Sequence, residues 1–125
     1  MHCYAAGKFV EESDARISVL DSSFREGVGV FETLRTYADR VPTLPLHVAR
    51  LRKSAAFARL EIPESDMKNL DSILAELIRL SGGEEADRGS PRAPDRSARI
   101  QISRDLGDGL TGLSVILRPL PEGYD

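Results

Sequence analysis

GVGVFETLR, residues 27–35, decides the fold. Its β-branched and aromatic residues alternate in side-chain direction, which predicts a strand running from Val28 to Tyr37. Val28, Val30, Glu32 and Leu34 then share one face, while Phe31, Thr33, Arg35 and Tyr37 share the other. Glu32 is therefore an acid among apolar neighbours. A carboxylate placed there needs a charged or donating partner, because burial alone is costly. The nearest candidates in topology are His47 and Arg50, three residues apart and on one side of the helix that follows. Glycine is unfavourable inside a strand, so Gly27 and Gly29 imply a close approach by a flat ligand or by another stretch of backbone.

Working outward, "ADR" (38–40) closes a hairpin to a short strand at Val41 and Pro42. Thr43 suits a helix cap and Pro45 a first turn, predicting a helix to about Leu60 with Leu51, Ala55 and Ala58 on one face. Pro63 interrupts. A second helix follows through "ESDMKNLDSILAELIRLS", where Met67, Leu70, Ile73, Leu74, Leu77 and Ile78 form a core stripe before Gly82 and Gly83 end it. Toward the N-terminus, Tyr4–Ala6 and Lys8–Val10 are short strands joined at Gly7, Arg16–Leu20 alternates like another strand, and "DSSFREG" makes a turn. Residues 82–97 hold few apolar side chains and are expected to form a mobile surface loop. "ARIQISR" and "LSVILRP" supply two further strands around "DLGDGLTG". Strands, then two helices, then strands describe a single α+β domain over residues 1–125, a small antiparallel sheet packed with two main helices.

Composition excludes several classes. The 125 residues are 41% hydrophobic and 30% charged, as in a soluble globule. A net charge of −3 argues against a general nucleic-acid or anionic-membrane binder. Cys3 is the only cysteine and His2 and His47 the only histidines, so neither a disulfide framework nor a thiolate or histidine-rich metal site is expected. No signal-like or membrane-spanning apolar run is present, and a cytoplasmic location is expected.

Two readings of Glu32, His47 and Arg50 stand side by side. One is a structural ion pair tying hairpin to helix. The other is an anion site, built from the guanidinium fork of Arg50 and the amides and dipole of the helix start near Pro45. A kinase-type glycine loop does not fit, since arginine replaces the required strand lysine and no later catalytic motif follows.

As an ordered set, "GKFVEESDARISVLDSSF", "GVGVFETLR", "HVARLRKSA" and "IPES" resemble the N-terminal domain of the class IV, fold-type IV pyridoxal-phosphate enzymes. These are the branched-chain aminotransferases, D-amino acid aminotransferases and aminodeoxychorismate lyases. The resemblance runs through most of residues 7–63, with a weaker echo in "IQISR" and "LSVILRPLPEGYD". It implies pyridoxal 5'-phosphate as cofactor, an amino acid and a keto acid as substrates, and a homodimeric parent enzyme. By the same resemblance Arg50 matches the arginine that binds the cofactor phosphate, Phe31 and Thr33 the substrate pocket, and Glu32 and His47 positions that support the site. Val28 departs from the family, which commonly has Asp there. "DLGDGLTG" lacks the Arg and His with which the D-amino acid enzymes trap a carboxylate, which argues against that branch, while the "ISR" ending and the "YD" terminus lean toward the lyase branch or an unassigned aminotransferase. The family's cofactor-anchoring lysine lies far downstream in a C-terminal domain, beyond Asp125, and Lys8, Lys53 and Lys68 are not credible substitutes. An N-terminal fragment, catalytically incompetent by itself, is the resulting expectation. The alternative is a non-catalytic binding or dimerisation module on the same scaffold.

Overall fold

The computed structural model describes residues 1–84 and 93–121. Strands β1 (His2–Ala5) and β2 (Lys8–Glu11) form a hairpin, followed by a short helix α1 (Ser22–Glu26) and strand β3 (Val30–Arg35). Helices α2 (Leu44–Phe57), α3 (Glu64–Lys68) and α4 (Leu70–Glu84) come next, and strands β4 (Arg96–Arg104) and β5 (Thr111–Pro119) complete the described elements. The sheet is antiparallel in the order β2-β1-β5-β4-β3, so β3 is an edge strand.

One face of the sheet carries the core. Ala98, Ile100 and Ile102 alternate inward from β4, and Leu113, Val115 and Leu117 do so from β5. Leu51 and Ala55 of α2 pack against them, as do Ile73, Leu74, Leu77 and Ile78 of α4. Each leucine, isoleucine or valine among them contributes roughly 1.5–3 kcal/mol on burial, and this helix-on-sheet layer is the main source of stability. The expected α+β class with two main helices is the observed one.

Several local expectations give way to tertiary context. Residues 16–20 form no ladder, and Ile17 and Val19 lie exposed. Their alternation has no neighbouring strand to pair with. The "DSSFREG" turn is the short helix α1, capped by the Asp21 side chain, which accepts from the Ser23 N–H. β3 is shorter than expected at both ends: Thr36 leaves the ladder to donate to the Arg96 carbonyl, and Tyr37 pairs with Arg40 across a turn. No strand forms at 41–42, because the Val41 carbonyl accepts the Leu44 N–H at the start of α2. Thr43 makes no side-chain cap. α2 stops at Phe57 rather than near Leu60, closed by left-handed Arg59 and a bond from the Leu60 N–H to the Ala55 carbonyl.

The second predicted helix is two. Asn69 ends α3 with its side-chain amide donating to the Ser65 carbonyl, and its own carbonyl receives the Ile73 N–H as α4 begins. An asparagine side chain that competes for backbone partners breaks a helix in this way, while Met67 and Leu70 on either side still reach the core. α4 continues through Gly82 and Gly83 to Glu84. Of the expected loop 82–97, residues 82–84 are thus helical and Arg96 and Ser97 belong to β4, while residues 85–92 lie outside the described residues.

The two glycines have separate causes. Gly27 ends α1 in the left-handed region at φ 68°. Gly29 sits where an added Cβ would meet the Ser23 Cβ at 3.1 Å and the Ile102 carbonyl oxygen at 3.4 Å. The close approach is therefore made by the protein itself. Gly27→Ala should cost about 1 kcal/mol through backbone strain, and Gly29→Ala about 1–3 kcal/mol through overpacking. Urea unfolding of the two variants checks both; a neutral Gly29→Ala would contradict the packing of α1 on β4.

Candidate functional site

Glu32 lies on the helix-facing side of the edge strand β3, and the sequence reading places its partners correctly. His47 Nδ1 is 2.7 Å from Glu32 Oε1, and Arg50 reaches the same oxygen with Nη2 at 2.7 Å and Nε at 3.1 Å. The Glu32 side chain is only 11% exposed. Burial raises its carboxyl, but the hydrogen bonds from Arg50 and His47, with their charges, outweigh burial and hold it below the ordinary glutamate value. An ionised carboxylate only accepts, so His47 donates from Nδ1 and its Nδ1 cannot also accept from Arg50, 3.3 Å away.

Arg50 has two environments at once. Nε and Nη2 are engaged by Glu32, whereas the side chain as a whole is 67% exposed and Nη1 makes no hydrogen bond among the described residues. The fork is therefore clamped on one edge and open to solvent on the other. The helix start adds nothing to this. Leu44 donates to Val41, Leu46 and His47 donate to Thr43, and Pro45 has no N–H. Arg50 moreover lies near the middle of the 14-residue α2. The expected contribution of free first-turn amides is thus corrected: any anion held here is held by the guanidinium. Of the neighbouring cations, Arg52 is tied bidentately to Glu64.

Phe31 and Thr33 point to the opposite, outer face of the sheet, as the alternation of β3 requires. Thr33 and His47 both line an open depression of about 370 Å³, together with Arg35, Ser97 and Pro121. Phe31, half exposed, carries the guanidinium of Arg99 over its ring at 3.7 Å from the centroid. Arg99 was not singled out in the sequence. The signal was the polar alternation of Ser97, Arg99, Gln101 and Ser103 opposite the apolar face of β4. Among the described residues no group of three or more His, Cys, Asp or Glu side chains is placed to hold a metal, and no helix is long and apolar enough to cross a membrane.

The direction of the Glu32 shift fixes its pH dependence. A carboxyl whose value is lowered by folding adds stability above its unfolded value and loses it as pH falls through the folded one. Glu32→Gln should therefore cost about 1–2 kcal/mol at neutral pH, and the gap from the parent protein should shrink from pH 4.5 downward. Thermal unfolding from pH 7 to pH 3 tests this; a gap that widens in acid contradicts it.

Comparison with known proteins bears on this geometry. Residues 29–124 match the family model "Amino-transferase class IV". A putative branched-chain-amino-acid aminotransferase of Methanocaldococcus jannaschii is 34% identical over 108 residues, 86% of this chain and 34% of that protein. An aminodeoxychorismate lyase of Bacillus subtilis is 35% identical over 104 residues, 83% of this chain and 32% of its own length. The chain thus spans about a third of the length of these curated relatives. Among solved structures, a hypothetical aminotransferase from Mycobacterium tuberculosis, with α-ketoglutarate and PMP bound, superposes with a TM-score of 0.77 at 21% identity, over 98% of this chain and 41% of that one. The branched-chain aminotransferase from Thermoproteus uzoniensis, solved with norvaline, gives 0.74 at 23% identity over 97% and 41%. Both share the fold described above, and the family-model match, which takes in β3, the clamped arginine and the β4–β5 pair, assigns this chain to the class IV amino-transferases.

Proposed function

We propose that this chain is the N-terminal domain of a pyridoxal-phosphate-dependent class IV aminotransferase or aminodeoxychorismate-lyase-like enzyme acting on amino acids and keto acids. The observation that carries the reading is the half-engaged fork of Arg50, fixed by Glu32 yet two-thirds exposed. That donor set fits a phosphate: an arginine whose free edge faces solvent and whose orientation is already set binds a tetrahedral oxyanion with little ordering cost. Glu32 and His47 act as positioning residues. Phe31 and Thr33, on the outer face, would line the substrate side.

Bound pyridoxal phosphate supplies an electron sink at the substrate α-carbon. This chain's residues hold and orient. Arg50 would grip the phosphate, Glu32 would keep the fork from swinging into solvent, and the Phe31 ring would present an apolar surface to the substrate. Lys8, Lys53 and Lys68 stand on β2, on α2 beyond Arg50 and on α3. The amine that anchors the cofactor would come from a C-terminal domain, and the segment alone would be inactive. Exposed Ile17, Val19, Phe24 and Leu110 favour this over a self-sufficient binding or dimerisation module, since apolar side chains of this size are commonly covered. A second domain and a second copy in a homodimer are the coverings proposed.

Binding of inorganic phosphate and of pyridoxal 5'-phosphate to the 125-residue chain tests the reading. Arg50→Gln should weaken both by about tenfold or more while leaving the circular dichroism spectrum unchanged. The parent chain with cofactor should convert no amino acid to keto acid by itself. Equal affinity in Arg50→Gln and the parent would remove the reading.

A further inference from the structure

We propose that anion binding at Arg50 is linked to a proton: when an oxyanion docks on the open edge of the fork, the His47 ring takes up a proton from solvent at Nε2 and gives the site the net positive charge it otherwise lacks. This rests on the reading of Arg50 as a phosphate anchor, and it adds how that anchor responds to pH.

The clamp that orients Arg50 also cancels its charge. Glu32 stays ionised, since the donors around it hold its carboxyl below the ordinary glutamate value, and one of its oxygens receives both Nε and Nη2 of Arg50. Guanidinium and carboxylate together sum to zero. A dianion approaching Nη1 therefore meets an ordered donor but little net attraction. His47 is the third member of the cluster, with Nδ1 2.7 Å from the same Glu32 oxygen and 3.3 Å from Arg50 Nη2. A charge on this ring lies well within the screening length of the fork.

The two ring nitrogens have separate tasks. Facing an ionised carboxylate, Nδ1 keeps its hydrogen and donates in either protonation state, so the neutral ring is the Nδ1–H tautomer. Nε2 is bare in that tautomer, and among the described residues it makes no hydrogen bond. A proton added there leaves the bond to Glu32 in place. Titration of His47 thus changes the charge of the clamp and leaves its geometry unaltered. Histidine is the side chain whose charge ordinarily changes near neutral pH, and the His47 side chain, 16% exposed, is within reach of solvent protons.

The groups around the ring come from three elements and the chain beyond β5. β3 supplies Glu32 and, along the depression that His47 lines, Thr33 and Arg35; β4 supplies Ser97, and the chain beyond β5 only Leu120 and Pro121. Arg35 is itself engaged by Asp95 at 2.9 Å. On α2, Arg50 opposes the added proton, and Lys53 stands three residues further along the helix. Arginine and lysine are cations throughout the histidine range, so the variable charge of the clamp is that of His47. An anion at Nη1 tips the balance toward the charged ring. By linkage, what the anion gains from that charge the ring gains from the anion. Binding therefore tightens as pH falls through the histidine range.

Sulfate is the probe, because it stays a dianion across that range, whereas inorganic phosphate itself titrates there. Isothermal titration calorimetry with the 125-residue chain should show sulfate affinity rising about three- to tenfold from pH 8 to pH 5.5. Near pH 7, titrations in buffers of different ionisation enthalpy should show net proton uptake with sulfate. His47→Gln keeps an amide donor for Glu32 but takes up no proton. It should hold sulfate at every pH with about the affinity the parent has at pH 8, and without proton uptake. His2→Gln, altered on β1 beside Glu11, should behave as the parent. Ring nitrogen NMR at pH 8 should find the His47 proton on Nδ1. An affinity that does not change with pH, proton uptake that survives in His47→Gln, loss of sulfate at pH 8 in a folded His47→Gln, or a neutral His47 ring protonated at Nε2 would overturn the proposal. Sulfate bound through Arg50 without proton uptake would spare the phosphate-anchor reading and end the linkage. A parent that binds no sulfate at any pH, or Arg50→Gln that binds it as the parent does, would remove both.

Discussion

The architecture depends on one constraint: a carboxylate set on the inward face of an edge strand cannot stay there without charged or hydrogen-bonding donors. Glu32 is nearly buried, so its charge requires His47 and Arg50, and those two side chains fix where α2 lies against β3. A purely apolar seam would tolerate sliding. A three-donor grip on one oxygen does not, and it leaves the rest of the Arg50 fork open to solvent. On the proposed reading, the structural ion pair and the anion site, which read as alternatives in the sequence, are one arrangement seen from two sides.

The same strand divides labour by alternation. Inward, β3 offers an acid that holds an arginine; outward, it offers Phe31, on which a second arginine lies flat. An edge strand suits this because, among the described residues, no further strand pairs along its outer side. The core beneath stays apolar and continuous, with Ile100, Ile102, Leu113 and Val115 closing against α4. The proposed chemistry would thereby be confined to the rim, while stability comes from the layer behind it.

Much of this was legible in the sequence because it follows from period and chemistry. The two-residue alternation in 30–35 assigned both faces, the stripe from Met67 to Ile78 found the core face of α3 and α4, and the need of Glu32 for a charged or donating partner pointed to His47 and Arg50 on the next helix. What stayed hidden depends on neighbours distant in sequence. Arg16–Leu20 alternates like a strand but joins no ladder in the folded chain. The first-turn amides of α2 look available until Val41 and Thr43 claim them. Gly29 reads as an opening for a ligand until α1 folds over it and Ser23 fills the space. Arg99 gains its meaning only from the register of β4 on β3, which sets Gln101 opposite Phe31 and brings the guanidinium onto the ring.

The central claim is that Glu32 aids anion capture although it is itself an anion, because it orders the fork that does the capturing. Inorganic phosphate affinity in Glu32→Leu measures this directly. Removing a nearby negative charge should tighten phosphate if bulk electrostatics governed the site. Loss of orientation should instead weaken it several-fold, with Arg50 present and the fold retained. Weaker binding is the predicted result, and tighter or unchanged binding would contradict the account.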